Sequence, residues 1–196
     1  MSTLKTTYLQ HPSASSANVT LASDGKATFN GAVVGAGMDL ISKTDFSNVA
    51  SASINNVFTS AYQSYRITVV TSAASGTTNL YMRYRSSGSD ITGADYNRCG
   101  WSNSFGGLVA NSNSADVRHD LGAISTATGD QGFISIEVHN PAMASATRGY
   151  NLIWGNNVAL GNSMMHTLAT AYDGFSIYTG SGTYSATIRV YGYRNS

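Results

Sequence analysis

The side chains able to do chemistry in this 196-residue chain are few and scattered. Its four histidines, His11, His119, His139 and His166, never stand at a spacing that would put two on one metal. Three of them fall in strand-like stretches beside polar neighbours. Arg118-His119-Asp120 brings an acid, a base and a cation together in sequence. Adjacent residues of a strand point to opposite faces, however, and a catalytic dyad needs a nucleophile and an orienting group within hydrogen-bond reach. That triplet therefore reads as an edge strand with solvated charges. Glycoside hydrolysis needs two carboxyls facing each other across about 5–10 Å, and nine Asp spread through turns with a single Glu, Glu137, nominate no such pair.

Phosphate and metal motifs fare no better. Residues 31–37, Gly-Ala-Val-Val-Gly-Ala-Gly, are rich in Gly, but no Gly-Lys-Ser/Thr follows and no helix opens after them. Asp24-Gly25 lacks the ladder of Asp residues that marks a calcium loop. Asn18-Val-Thr20 is a formal glycosylation sequon, which matters only on a secretory route. Cys99 is the only cysteine, so neither a disulfide within the chain nor a multi-cysteine metal site can form. No catalytic residue, metal or cofactor is expected.

Surface recognition is the chemistry that remains. Trp101, Asn103 and Phe105 lie in or beside a long Ser/Asn/Gly stretch, and Trp154 stands with Asn156 and Asn157 at a strand end. Rings stacked under sugar faces, with amides bonding the hydroxyls, make a glycan platform; the plainer alternative places both Trp rings in the core. A second feature is an outward row of Arg189, Tyr191 and Tyr193 with Tyr81, Arg83 and Arg85. Tyr and Arg are enriched in protein interfaces, so this row reads as a contact with another subunit.

The elements that must position these side chains are strands. Charged residues make up 11% of the chain, and Lys occurs only at positions 5, 26 and 43, which leaves few residues that favour exposed helix. Gly, Ser, Thr, Asn, Tyr and Val fit short strands with many turns. A net charge of +1, with no basic block, argues against a nucleic-acid partner. No run approaches the ~20 apolar residues of a membrane span, and the N-terminus lacks a signal-peptide core. The expectation is a soluble protein made in a cytoplasm.

Residues 1–37 read as an arm. Val19-Thr-Leu21 and Ala27-Thr-Phe29 flank Asp24-Gly25, a strong hairpin signal. A lone hairpin is marginal in water, so Val19, Leu21, Phe29, Val33 and Val34 need cover from copies of the arm or from a docking partner. Residues 38–196 are long enough for one domain with its own core. Alternating runs predict strands over 38–46, 50–58, 65–71, 79–85, 95–101, 116–121, 132–139, 148–154, 164–172, 174–178 and 183–193, with 102–114 irregular. Phe58, Tyr62 and Tyr65, spaced by four and three, predict a single helical turn that caps the sheet. The spacing of these strands favours an all-β, jelly-roll-like antiparallel sandwich over an open sheet.

Two stretches carry a resemblance to a known family. Leu21 to Val33, Leu-x-x-Asp-Gly-x-x-x-Phe-x-Gly-x-Val, is followed by a Gly-rich joint and then by Phe58-x-x-x-Tyr62-x-x-Tyr65-Arg-Ile-Thr-Val. With the Met-Ser-Thr-Leu-Lys start and the Ala186-Thr-Ile-Arg-Val-Tyr-Gly-Tyr193 ending, this layout resembles virion appendage proteins of tailed bacteriophages, particularly those infecting marine cyanobacteria. The resemblance implies a homotrimer of β-sandwich heads whose arms wind into a stalk or dock onto other virion proteins of capsid or tail. It carries no catalytic residue. The implied function is a short fibre or spike at the virion surface, assembled in the host cytoplasm, whose head meets host polysaccharide. Alternatives are a capsid decoration protein and a carbohydrate-binding module.

Overall fold

The computed structural model describes residues 6–29, 37–104, 107–124, 132–155 and 158–194, and among them no helix forms. The chain divides into two compact units, one within residues 1–36 and one spanning 37–195.

In the first unit, β1 (Tyr8–Leu9), β2 (Val19–Leu21) and β3 (Ala27–Phe29) form an antiparallel sheet in that order. Val19 stands opposite Phe29 and Leu21 opposite Ala27. The turn between them follows from its residues: Asp24 accepts the Lys26 N–H at 3.1 Å and pairs with the Lys26 ammonium at 2.7 Å, and Gly25 takes φ 86°, a backbone state that costs Gly little. Tyr8, Leu9, Leu21 and Phe29 are all exposed; Val33 and Val34 lie outside the described residues.

The second unit contains β4 (Met38–Val49), β5 (Ser51–Ile54), β6 (Tyr62–Ala74), β7 (Thr78–Ser86), β8 (Ser89–Asp90), β9 (Tyr96–Ser104), β10 (Gly107–Asp116), β11 (His119–Ile124), β12 (Phe133–His139), β13 (Thr147–Gly155), β14 (Val158–His166), β15 (Gly174–Thr179) and β16 (Tyr184–Arg194). Eight strands make one sheet in the order β10-β9-β14-β13-β12-β6-β16-β4. The other runs β11-β7-β15-β5, with β8 beside β7. Every pairing is antiparallel. The fold is a jelly-roll-like antiparallel β-sandwich.

Period-two alternation fills the space between the sheets. Tyr65, Ile67 and Val69 of β6, Ile134, Ile136 and Val138 of β12, and Ile188 and Val190 of β16 belong to one buried cluster with Leu80, Met82 and Tyr84 of β7 and Phe175 and Ile177 of β15. Each such side chain contributes about 1.5–3 kcal/mol on burial. The Tyr184 hydroxyl donates to the Ile177 carbonyl at 2.9 Å, tying one sheet to the other inside that cluster.

The aromatic cap differs from its expected form. Phe58 precedes a turn and Tyr62 opens β6, so no helical turn joins them. The N–H groups of Val57 and Phe58 both donate to the Asp173 carbonyl, at 2.9 and 3.1 Å, and such a partner so far along the chain replaces the local bonds of a helix. The rings still meet: Phe58 and Tyr65 lie edge to face at 4.8 Å, and Tyr62 and Tyr65 at 5.8 Å.

Other boundaries move as well. Much of the stretch expected to be irregular, 102–114, is the paired end of β9 and β10, with Ser104 opposite Gly107. Its Ser and Asn residues give no apolar alternation, yet an edge pair held by backbone bonds does not require any. The strand expected over 164–172 instead occupies 158–166, and residues 167–173 leave the sheet. There, the Tyr172 N–H donates to the Pro141 carbonyl at 2.7 Å.

Candidate functional site

The outer face of the eight-stranded sheet collects the exposed rings. In β13, Gly149, Asn151 and Ile153 point inward, which turns Arg148, Tyr150, Leu152 and Trp154 to solvent. Trp154 is 73% exposed and Trp101 39%, while Phe133, Tyr150 and Leu152 are each close to half exposed. Apolar side chains grouped on one sheet face in this way mark a contact surface more often than an accident of packing.

Strand register orders this face into rows. One row runs Phe133, Trp154, Ala159, Asn103, Leu108, and the next runs Ser135, Leu152, Gly161, Trp101, Ala110. A third runs Glu137, Tyr150, Ser163, Cys99, Ser112, and a fourth His139, Arg148, Met165, Asn97. Trp101 and Trp154 are thus two strands and one row apart, about 10 Å across the sheet and about 7 Å along it. Trp101 lies against Gly161, where an added Cβ would sit 3.0 Å from its Nε1. Glycine there lets the indole settle onto the neighbouring strand.

Where the third row changes from Tyr150 to Ser163, Cys99 and Ser112, small side chains on three adjacent strands leave a shallow trough of about 610 Å³. Arg148, Met165 and Asn97 line it from the fourth row. Arg98 also borders it, but its guanidinium is committed to Asp120 of β11 at 2.6 Å. Among the described residues Arg148 has no carboxylate partner.

The glycan residues expected from sequence are brought together in part. Trp101, Asn103 and Trp154 share this outer face, on strands rather than in a loop, and neither Trp is core. Phe105, Asn156 and Asn157 lie outside the described residues. Sequence reasoning missed Phe133, Tyr150, Leu152 and Arg148. Alternation alone would turn Tyr150, Leu152 and Trp154 inward, and the structure reverses this, with Gly149, Asn151 and Ile153 facing the core.

The expected Arg/Tyr row is two surfaces, because β16 and β7 belong to different sheets. Tyr81, Arg83 and Arg85 lie on the outer side of the smaller sheet and are engaged there. The Arg83 guanidinium sits 4.8 Å from the Tyr178 ring centre, Arg118 sits 3.8 Å from that of Tyr81, and Arg85 pairs with Asp90. Arg189, Tyr191 and Tyr193 are on the larger sheet, where the Tyr193 hydroxyl donates to Glu137 at 2.8 Å and Arg66 pairs with the same carboxylate at 2.5 Å. Burial and that carboxylate push the Tyr193 phenol up to about 12.

The triplet at 118–120 lies at an edge strand as expected, but its side chains are not solvated charges. β11 is an edge strand, but His119 is fully buried against Tyr84 and Tyr96, with ring centres at 5.7 and 4.8 Å. His166 packs on the same two tyrosines, at 5.6 and 4.3 Å, and shares a 2.7 Å hydrogen bond with the Tyr172 hydroxyl. Burial pushes the His119 imidazole down to about 3 and lowers His166 as well. Both rings are neutral core side chains. Arg118, His119 and Asp120 face three different partners, and among the described residues no three His, Cys, Asp or Glu side chains gather as a metal site would require.

No family model matches the chain. Nor does any curated protein. Among solved structures, a galectin, LEC-6, of Caenorhabditis elegans is similar at 14% identity over 74% of this chain and 94% of its own, with a TM-score of 0.31. A sucrose-6-phosphate hydrolase from Lactobacillus gasseri aligns at 13% identity over 75% of this chain but 28% of its own, with a TM-score of 0.31. A protein of unknown function from Shewanella oneidensis, SO2946, aligns at 12% identity over 96% and 85%, with a TM-score of 0.27.

Proposed function

We propose that the chain is a non-enzymatic surface appendage of a tailed-phage virion, a homotrimer anchored by its arm, whose head meets host-surface polysaccharide through the outer face of the eight-stranded sheet. The observation that carries the recognition role is the exposure of Trp154 and Trp101 on one rigid sheet face, beside a trough lined by hydroxyls and amides. Rings supply flat apolar area at low entropic cost and short polar side chains fix orientation, which is the division of labour that sugar recognition uses. The virion setting rests on the sequence resemblance. The uncovered Tyr8, Leu9, Leu21 and Phe29 support an arm that needs a partner, and they suit capsid decoration as well as a fibre.

The experiment is a cell-binding assay with the full chain and a Trp101→Ala/Trp154→Ala double variant. Binding is expected to be lost while the melting temperature stays within a few degrees of the parent, since both side chains face solvent. Retained binding would overturn this face as the contact surface. Antibody against the head, viewed on intact virions, assigns it to tail or shell.

A further inference from the structure

The trough carries a cation with nothing to balance it. Several charges elsewhere on the larger sheet are matched: Arg66 with Glu137, Arg194 with Asp39, Lys43 with Asp45, and Arg98 with Asp120 across the sandwich. Among the described residues Arg189 of β16 forms no ion pair, and neither does Arg148. It lines the trough, it is exposed, and among the described residues no carboxylate reaches it. Asp116 of β10 is held instead by the Asn113 amide at 2.7 Å and by the Val117 N–H at 2.7 Å.

The surroundings of Arg148 define what would complement it. Ser163 and Ser112 provide hydroxyls and Asn97 an amide in the adjoining strands, although Asn97 already accepts the Ala115 N–H at 2.9 Å and has its NH₂ left to offer. An open trough with hydroxyl and amide groups along its floor and a guanidinium at its end fits a sugar that carries a carboxylate. A guanidinium presents two parallel N–H donors to such a group.

We infer that the trough binds an acidic glycan, with a uronate-type carboxylate on Arg148 and the sugar hydroxyls on Ser112, Ser163 and the Asn97 amide. This rests on the glycan-contact reading of the same face and adds the charge class of the ligand. It also accounts for the separation between the Trp rows and the trough: the rings of Trp101 and Trp154 take neutral sugar faces, while Arg148 takes the charged residue of the same chain.

The test uses the full-length protein, uronate-containing oligosaccharides, and the same oligosaccharides with each carboxyl reduced to a hydroxymethyl group. Affinities are measured by calorimetry at two salt concentrations. The parent should bind the uronate form roughly tenfold more tightly than the reduced form, about one partly hydrated charge-assisted contact, and that preference should shrink as salt is raised. Arg148→Gln should erase the preference, and Arg148→Lys should restore part of it. Equal binding of both forms, or a preference that survives in Arg148→Gln, would overturn the acidic-ligand inference and leave the Trp face standing. Absence of binding to either form overturns the inference, and Trp101→Ala/Trp154→Ala tested on whole cells then decides the wider reading separately. A preference that extends equally to inorganic sulfate at matched ionic strength would show a plain anion site and overturn the sugar assignment.

Discussion

The Asn151 side-chain amide donates to the Leu121 carbonyl at 3.2 Å across the sandwich. Leu121 sits where β11 slips by one residue against β7, between the pairs Asp120–Tyr81 and Gly122–Leu80. The inward Asn151 thus satisfies a carbonyl at a bulge, with Tyr150, Leu152 and Trp154 outside. Asn151→Ala leaves that carbonyl without its partner but also removes the buried Asn151 Oδ1, which has no hydrogen-bond partner among the described residues, so the cost should lie at the low end of about 1–3 kcal/mol. Thermal unfolding should record a drop of a few degrees. The emission of Trp154 should remain that of an exposed indole, because a one-residue slip would carry Ile153 outward and is resisted by the whole core face.

Acid should weaken the head through its buried histidines. His119 is held near 3 when folded and near 6.5 when unfolded, so the unfolded chain binds the extra proton between those values. Its contribution is fully present above about pH 6.5 and is lost as pH falls toward 3, amounting to on the order of 3 kcal/mol by pH 4. His166, shifted in the same direction, adds to the slope. The groups that face His119, namely Tyr84, Tyr96, His166 and Arg98, offer no carboxylate to receive the proton. Melting temperatures of the parent and of His119→Phe from pH 7.5 to 4 should diverge, with the variant the flatter of the two. Parallel curves would show that surface carboxylates alone set the acid limb.

Much of the sandwich was legible from sequence where one alternating set is apolar and the other is not, as in 132–139, 79–85 and 183–193. Legibility failed where both sets are polar, as in 102–114, and where the more apolar set faces out, as in 148–154. His119 was misread for a related reason. Its neighbours Arg118 and Asp120 suggest a wet strand, but the Asp120 carboxylate is drawn to Arg98 and Arg118 lies over Tyr81. Charges satisfied by long-range partners leave no local mark. The aromatic cap was recognised as a cluster but not in its geometry, since the Tyr65 hydroxyl both accepts the Thr59 N–H and donates to the Thr59 carbonyl, at 2.7 Å each. Tertiary bonds there override a helical spacing.

Gly161 offers a way to disturb the contact face without disturbing the core. A side chain at this position would meet the Trp101 indole at 3.0–3.2 Å. Gly161→Val should lift the ring off the strand while β-branching favours the extended backbone. Stability should stay within about 1 kcal/mol of the parent. Quenching of Trp emission by acrylamide should rise, and binding to cells should fall. Unchanged quenching would mean that the indole does not rest on Gly161.

Oligomer state tests the arm. Tyr8, Leu9, Leu21 and Phe29 are exposed on a sheet whose three strands, of two or three residues each, bury none of their own side chains, so its apolar face lacks the cover that a small sheet needs. Association of three arms would cover those residues, so light scattering of the full chain at micromolar concentration should give a trimer mass. Removing residues 1–36 keeps Gly37, whose carbonyl accepts the Arg194 N–H at 3.4 Å, and leaves every strand of the sandwich in place. The shortened protein should therefore fold, melt within a few degrees of the parent and run as a monomer. A full-length monomer would sink arm association, whereas a trimer that persists without the arm would move the subunit contact onto the head, with the exposed rings of β12 and β13 the first surface to examine.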